Sequence, residues 1–254
     1  MSAVLASHFG IRAQRMALLL VLFILWEITA RLFGDPGMIA SPSQVLGALG
    51  PRIFGDPRVL SAIGLTLFEL TVAFICSVVL GVLIGLAIGS SSISRRGLMP
   101  IVLLLYAVPQ AILLPLFVLT LGIGPLCKIA FGFSHGVFPV ILSTVAGLRG
   151  TSPLLLSGAR SMGAGRLQII RHLLFPHMVS VLFAGLRLAM TLTLLGVLLA
   201  ELFVSTAGIG YFSQVFAQTF DPAPLFALIA TLAAMAVALN ETVRTVERRF
   251  TRWK

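Results

Sequence analysis

The chain has 254 residues, 58% of them hydrophobic and 10% charged, with a mean hydropathy of +1.08 and a formal net charge of +10. Soluble domains run about 45–50% apolar and 25% charged, so the solvent for most of this chain is lipid. Its basic residues lie in short segments between apolar runs, which sets nucleic-acid binding aside and makes them orientation signals.

An all-α, polytopic membrane protein is expected, a single transmembrane domain over 1–254. Six spans are predicted, at roughly 16–33, 64–90, 98–120, 125–147, 178–203 and 223–243. The first follows Arg12 and Arg15 and is interrupted by Trp26-Glu27. No small-residue cleavage site follows cleanly, so it reads as a retained anchor. Arg31 stands four residues after Glu27, the spacing of a helix-face pair. Between spans one and two, Ser41 can cap and Pro42 can open a short helix.

Span two contains GVLIGLAIG. Its glycines at 81, 85 and 89 form a ridge for close helix packing, within one bundle in preference to a dimer contact. Span three holds Pro109 and Pro115, tolerated where neighbours satisfy freed carbonyls. Tyr106 and Gln110 are pathway candidates there. Gln110 is the one strongly polar side chain between Pro100 and Thr120. A tight turn, Gly122–Pro125, leads into span four, where Lys128 is expected to snorkel outward.

Span four also carries GFSHG at 132–136, which fits the G-x-S-x-G pattern of serine hydrolases. That pattern needs a strand–turn–helix setting, and small residues here serve helix packing instead. Cys76 and Cys127 have no metal spacing and read as packing residues, so no metal site is expected. Span five contains Arg187 and Glu201. Charges inside spans are functional candidates by default, and these two join the pathway candidates. Fourteen residues of helix put them about 21 Å apart, too far to pair. Glu241 and Arg244 read as a surface pair at the end of span six.

The basic residues divide by side. Arg12 and Arg15, Arg95 and Arg96, Arg149, Arg160, Arg166 and Arg171, then Arg244, Arg248, Arg249, Arg252 and Lys254 fall on one side. Arg31, Arg52 and Arg58 fall on the other. The positive-inside rule puts both termini and the 149–177 loop in the cytoplasm.

That loop contains SGARSMGAGRLQIIRHLLFP at 157–176. Ser152 can cap, Pro153 can begin a helix, and Gly163 suits a left-handed helix end. A second segment, Arg166 to Phe175, should run until Pro176 stops it, with Leu167, Ile170 and Leu174 on one face. Two short helices with an apolar face and a basic rim result. They suit either an anionic leaflet or a docking partner, and the glycine break favours docking.

The same stretch resembles the "EAA" loop of ATP-binding-cassette importer permeases. Ala159, Gly163, Ala164 and Pro176 match the pattern. Ser157 stands where the family glutamate stands, Gly158 replaces the first alanine and Phe175 the usual leucine. Further similarity lies in SPSQVL (41–46), AVPQAILLPLFVLTLGIGPLCKIA (107–130), GVFPVILSTVAGL (136–148), LLAELFVSTAGIGY (198–211) and ERRFTRW (247–253). It is greatest to the permeases of the nitrate, sulfonate, taurine and bicarbonate importers.

The resemblance implies a type I importer permease in a bacterial inner (plasma) membrane, non-catalytic in itself. Two permease chains, identical ones expected, would form the pathway for a small anionic or zwitterionic solute. Two ATPase subunits would dock on the loops at Ser157, Gly158, Ala159, Arg160, Gly163, Ala164, Arg166 and Pro176. An external solute-binding protein would deliver the solute, and ATP and Mg would sit on the partner. In agreement, neither Lys128 nor Lys254 lies in a phosphate-binding G-x-x-x-x-G-K-[ST] pattern, so no cofactor is expected on this chain. The alternatives are a stand-alone ion-coupled carrier, for which no two related halves are found, and an intramembrane serine hydrolase using Ser134.

Overall fold

The computed structural model describes residues 2–150 and 152–250, without the side chains of residues 2–13, Pro153, Arg166 and Ile170. The positions of Arg252, Trp253 and Lys254 lie outside the described residues, as does the side chain of Arg12. All regular elements described are helical. In order they are α1 (Ser2–Phe33), α2 (Pro42–Ala48), α3 (Pro57–Ser90), α4 (Ser92–Ala107), α5 (Leu114–Leu121), α6 (Pro125–Arg149), α7 (Pro153–Ser161), α8 (Arg166–Ile169), α9 (Phe175–Val204), α10 (Ile209–Gln218) and α11 (Pro222–Phe250).

Two compact units form. One comprises the chain up to Ser61 with Phe212–Leu232, and the other Ala62–Tyr211 with Ala233 onward. In the first, Glu27 of α1 pairs with Arg31 one turn on and accepts hydrogen bonds from the Ser43 backbone (2.9 Å) and hydroxyl (2.7 Å). The α2 helix opens where the sequence predicts, and the Gln44 side chain returns to the Ser41 N–H at 2.9 Å. Trp26 of α1 meets Phe226 of α11 with ring centroids 5.9 Å apart. The connection between α9 and α11 contains α10.

The second unit is organised by two helix pairs. Helices α3 and α6 run parallel. A Cβ on Gly81, Gly85 or Gly89 would meet Val140, Thr144 or Leu148 at 2.6 Å, so the glycine ridge is an intrachain contact. Each of those partners is 59 positions further along the chain, and the pair Glu69–Lys128 has the same offset. The two helices therefore stay in register over about 30 Å, the thickness of a hydrocarbon core. Helix α9 lies antiparallel against α6, with Gly132 facing Val197, Gly136 facing Thr193 and Gly147 facing Met178.

The third span, predicted over 98–120 with Pro109 and Pro115 inside it, is broken. Helix α4 ends at Ala107, Val108 is extended, and a 3-10 turn, Gln110–Leu113, leads into α5; the two halves are bent by 81°. Pro109 causes this, because it has no N–H and pushes the preceding residue out of the helical region. The bent pair still crosses. Val102 of α4 packs among Ile88, Val137, Ile141 and Val145, at the Gly89 end. Leu114 of α5 packs with Phe131 and Ala200, at the Lys128 end. With the five helices of spanning length among the described residues, the bent pair brings the number of spans to six when it is counted as one.

Pro176 does not stop the second loop segment. A π turn, Ile170–Leu174, follows α8 directly, and Pro176 falls in the first turn of α9. A first-turn proline lacks an N–H that the helix does not use, so the chain passes straight from loop into span. The π turn also shifts the helical phase. Ile169 is the buried residue of the segment, while Leu167 is 76% exposed; the Ile170 side chain lies outside the described residues.

Candidate functional site

Two polar regions stand out, at opposite ends of α6 and α9. The first is the Gly150–Leu174 connection. The Ser152 hydroxyl accepts the Leu154 N–H at 3.3 Å, which starts α7. After Ser161 the chain turns at Gly163, whose φ of 79° suits glycine, and Ala164 N–H closes the turn on Ala159 O at 3.0 Å. Gly165 N–H then donates to Gln168 Oε1 at 2.8 Å to open α8.

Ser157 spends its hydroxyl on Leu154 O, 2.9 Å away, so the residue in the glutamate's place is turned back onto its own helix. Ala159, Gly163 and Ala164 line an open cleft of about 480 Å³ together with Met162, Gln168 and Ile169. Leu154, Met162 and Leu167 are 79%, 83% and 76% exposed, and Arg160 and Arg171 are exposed beside them. Gly158 is also exposed, Pro176 is half-buried, and the Arg166 side chain lies outside the described residues. The arrangement is a shallow apolar face in a basic frame, built on local hydrogen bonds.

The second region is closed. Glu69, Lys128 and Glu201 are buried, with Lys128 3% exposed and both glutamates 0%. Lys128 Nζ lies 2.6 Å from Glu69 Oε1, 3.9 Å from Glu201 Oε1 and 3.2 Å from the Ala207 carbonyl to which it donates. The expected outward snorkelling of Lys128 is therefore corrected. Two carboxylates hold it inward, because a buried ammonium needs paired charge. The Glu69–Lys128 contact is a close, buried ion pair.

Glu201 is engaged at both oxygens. Oε1 lies 2.7 Å from the Thr66 hydroxyl, and Oε2 accepts the Gly210 N–H at 2.9 Å. The segment Ser205–Gly210 wraps this carboxylate. Its turn is made by Gly208, at φ 113°, and a Cβ there would overlap Glu201. Glu201 thus offers no free oxygen to a solute in this conformation.

The remaining pathway candidates separate. Arg187 of α9 is ion-paired with Glu247 of α11, a partner the sequence reading missed. Tyr106 stacks on Phe138 at 5.6 Å. Gln110 sits just after the break in span three, its Oε1 buried with no hydrogen-bond partner among the described residues. In the G-x-S-x-G stretch, the Ser134 hydroxyl donates to Phe131 O at 2.8 Å, and His135 Nδ1 lies 2.9 Å from the same carbonyl. Both lie inside α6, so no nucleophile elbow exists there. No group of three metal-ligating side chains occurs among the described residues.

Helices of membrane-spanning length, a broken third span and an exposed apolar–basic segment between the fourth and fifth spans define a polytopic membrane protein. The chain belongs to the family of binding-protein-dependent transport system inner membrane components, which it matches over residues 77–252.

Among its relatives is the taurine transport system permease protein of Escherichia coli (strain K12), 29% identical over 93% of this chain and 87% of that protein. The formylaminopyrimidine transport permease protein of Halalkalibacterium halodurans is 27% identical over 92% and 93%. The nitrate import permease protein of Synechocystis is 28% identical over 76% and 72%. The fold is shared with the MetNI methionine ABC transporter in an inward-facing crystal structure, with a TM-score of 0.65 and 17% identity over 76% of this chain and 96% of that one. The chain is thus an inner-membrane permease subunit of an ABC importer.

Proposed function

We propose that the chain pairs with a second, identical permease chain and couples to two ATPase subunits through residues 152–176. The observation that carries this is the exposed apolar face of Leu154, Met162 and Leu167 beside the cleft at Gly163, framed by arginines. Apolar side chains left in water on a basic surface mark a place where a protein docks. Helix α8 runs through the π turn into α9, so a push on the loop passes directly into a span. The ATP and Mg are held by the partner.

In this reading both termini are cytoplasmic. The support is the clustering of Arg95, Arg96, Arg149, Arg160 and Arg171 at the loop end of the second unit, where the Arg149 side chain donates to Gly89 O at 3.1 Å. The transported solute is small and anionic or zwitterionic, as the named cargoes taurine and nitrate of two relatives are. An external solute-binding protein presents it. Gln110, at the break in span three, is the pathway donor, and Tyr106 of α4 is the second candidate.

The test is gentle purification of the chain from its native membrane. A stoichiometric ATPase subunit is expected, and Gly163→Asp should abolish its co-purification while the chain still inserts. Uptake by the purified chain alone, without ATP, would overturn the proposal in favour of an ion-coupled carrier.

A further inference from the structure

The hydrogens around Glu201 can be counted. Thr66 Oγ1 lies 2.7 Å from Glu201 Oε1 and 3.0 Å from Ala62 O, and it receives the Ile209 N–H at 3.0 Å. A threonine hydroxyl has one hydrogen and two lone pairs. That one hydrogen can point fully at only one of Ala62 O and Glu201 Oε1. With a proton on Glu201 Oε1, each of these contacts becomes a donor–acceptor pair. Glu201 donates to Thr66, Thr66 donates to Ala62 O, Ile209 N–H donates to Thr66, and Gly210 N–H donates to Oε2.

The charges give the same answer. Lys128 and Glu69 are the charged groups that act on Glu201, one from α6 and one from α3. The segment 205–210, which closes the remaining side, contains no ionisable side chain. Two ionised glutamates against one ammonium would leave a net negative charge fully buried, which is strongly disfavoured. Lys128 stands closer to Glu69 (2.6 Å) than to Glu201 (3.9 Å), so Glu69 is the ionised partner.

We infer that this cluster is a buried proton-binding site, in which Glu201 is held as the neutral acid beside a Glu69–Lys128 ion pair. The bound proton completes the hydrogen-bond chain from the 205–210 turn through Glu201 and Thr66 to α3. The site is independent of the coupling segment and of the solute.

Glu201→Gln tests it, because a carboxamide keeps one donor for Thr66 and one acceptor for Gly210. Glu69→Gln instead strips Lys128 of its counter-ion. Infrared spectra and melting curves of the full-length chain in lipid nanodiscs, near neutral pH, distinguish them. The wild type should show the carbonyl stretch of a protonated carboxylic acid and Glu201→Gln should lose it; Glu69→Gln should weaken it, because Glu201 is then the one carboxylate left beside Lys128. Glu201→Gln should melt within a few degrees of wild type, and Glu69→Gln at least about 6 °C lower.

Three results overturn the assignment: no such band in the wild type, a band that survives Glu201→Gln, or a Glu201→Gln chain that fails to fold. Should Glu69→Gln itself fail to fold, the spectra of wild type and Glu201→Gln decide alone.

Discussion

Helices α6 and α9 share two ends, and the chain treats them in opposite ways. At one end the turn after α9 folds inward around Glu201, fastened by Lys128, Thr66 and the Gly210 N–H. At the other, the connection from α6 to α9 turns Leu154, Leu155, Leu167 and Met162 outward. Each end turns on a glycine with positive φ. Gly208 is pressed against a carboxylate, while nothing lies within 4 Å of where a Cβ on Gly163 would stand. One end keeps its charges and its turn engaged within the chain. The other leaves its apolar requirement for a partner, and only such a surface can respond to events on another subunit.

The largest effect should come from breaking the closed end. Lys128→Met leaves Glu69 without its cation, and such a loss costs about 3–5 kcal/mol. It should appear as a sharp fall in the melting temperature of the purified chain, partly restored by adding Glu69→Gln. A Lys128→Met chain as stable as wild type would mean that the cluster does not hold the bundle.

The glycines give the next contrast. Gly208→Ala combines a left-handed backbone with overlap on Glu201, for a cost of about 2–4 kcal/mol. Gly163→Ala has only the backbone strain, about 1–2 kcal/mol, because its Cβ enters open space. Equal melting temperatures for the two alanine variants would show that the 163 turn is as enclosed as the 208 turn.

The open end was legible in the sequence because its signals are local. A cap at Ser152, a glycine at 163 and a proline at 176 act within a few residues, and the chain folds there largely as they dictate. The exception is Pro176, where a stop signal and a first-turn signal look alike in sequence. The π turn decides between them, and no residue type announces it. The closed end was legible only as loose charges. Glu69, Lys128 and Glu201 lie far apart in sequence, and their meeting depends on the parallel register of α3 and α6, set by glycines at 81, 85 and 89. That glycine ridge was visible, but its partner face on α6 was not. A constant 59-residue offset is a tertiary fact. Glu247, the partner of Arg187, was hidden for the same reason.

The smallest effect belongs to Arg187, which tests whether any charge within α9 is free for a solute. The pair with Glu247 is part-exposed, its side chains 38% and 20% accessible, so its removal should cost about 1 kcal/mol or less. Stability alone is therefore a poor readout, and uptake is the better one. If the arginine serves only to join α9 to α11, Arg187→Gln and Glu247→Gln should change uptake to the same small extent. The exchanged pair, Arg187→Glu with Glu247→Arg, should then recover it. If Arg187 instead meets the solute, Glu247→Gln frees it and leaves uptake intact, whereas Arg187→Gln abolishes uptake. The geometry predicts the first pattern, since the guanidinium is already engaged by a carboxylate. The second pattern would return Arg187 to the pathway beside Gln110.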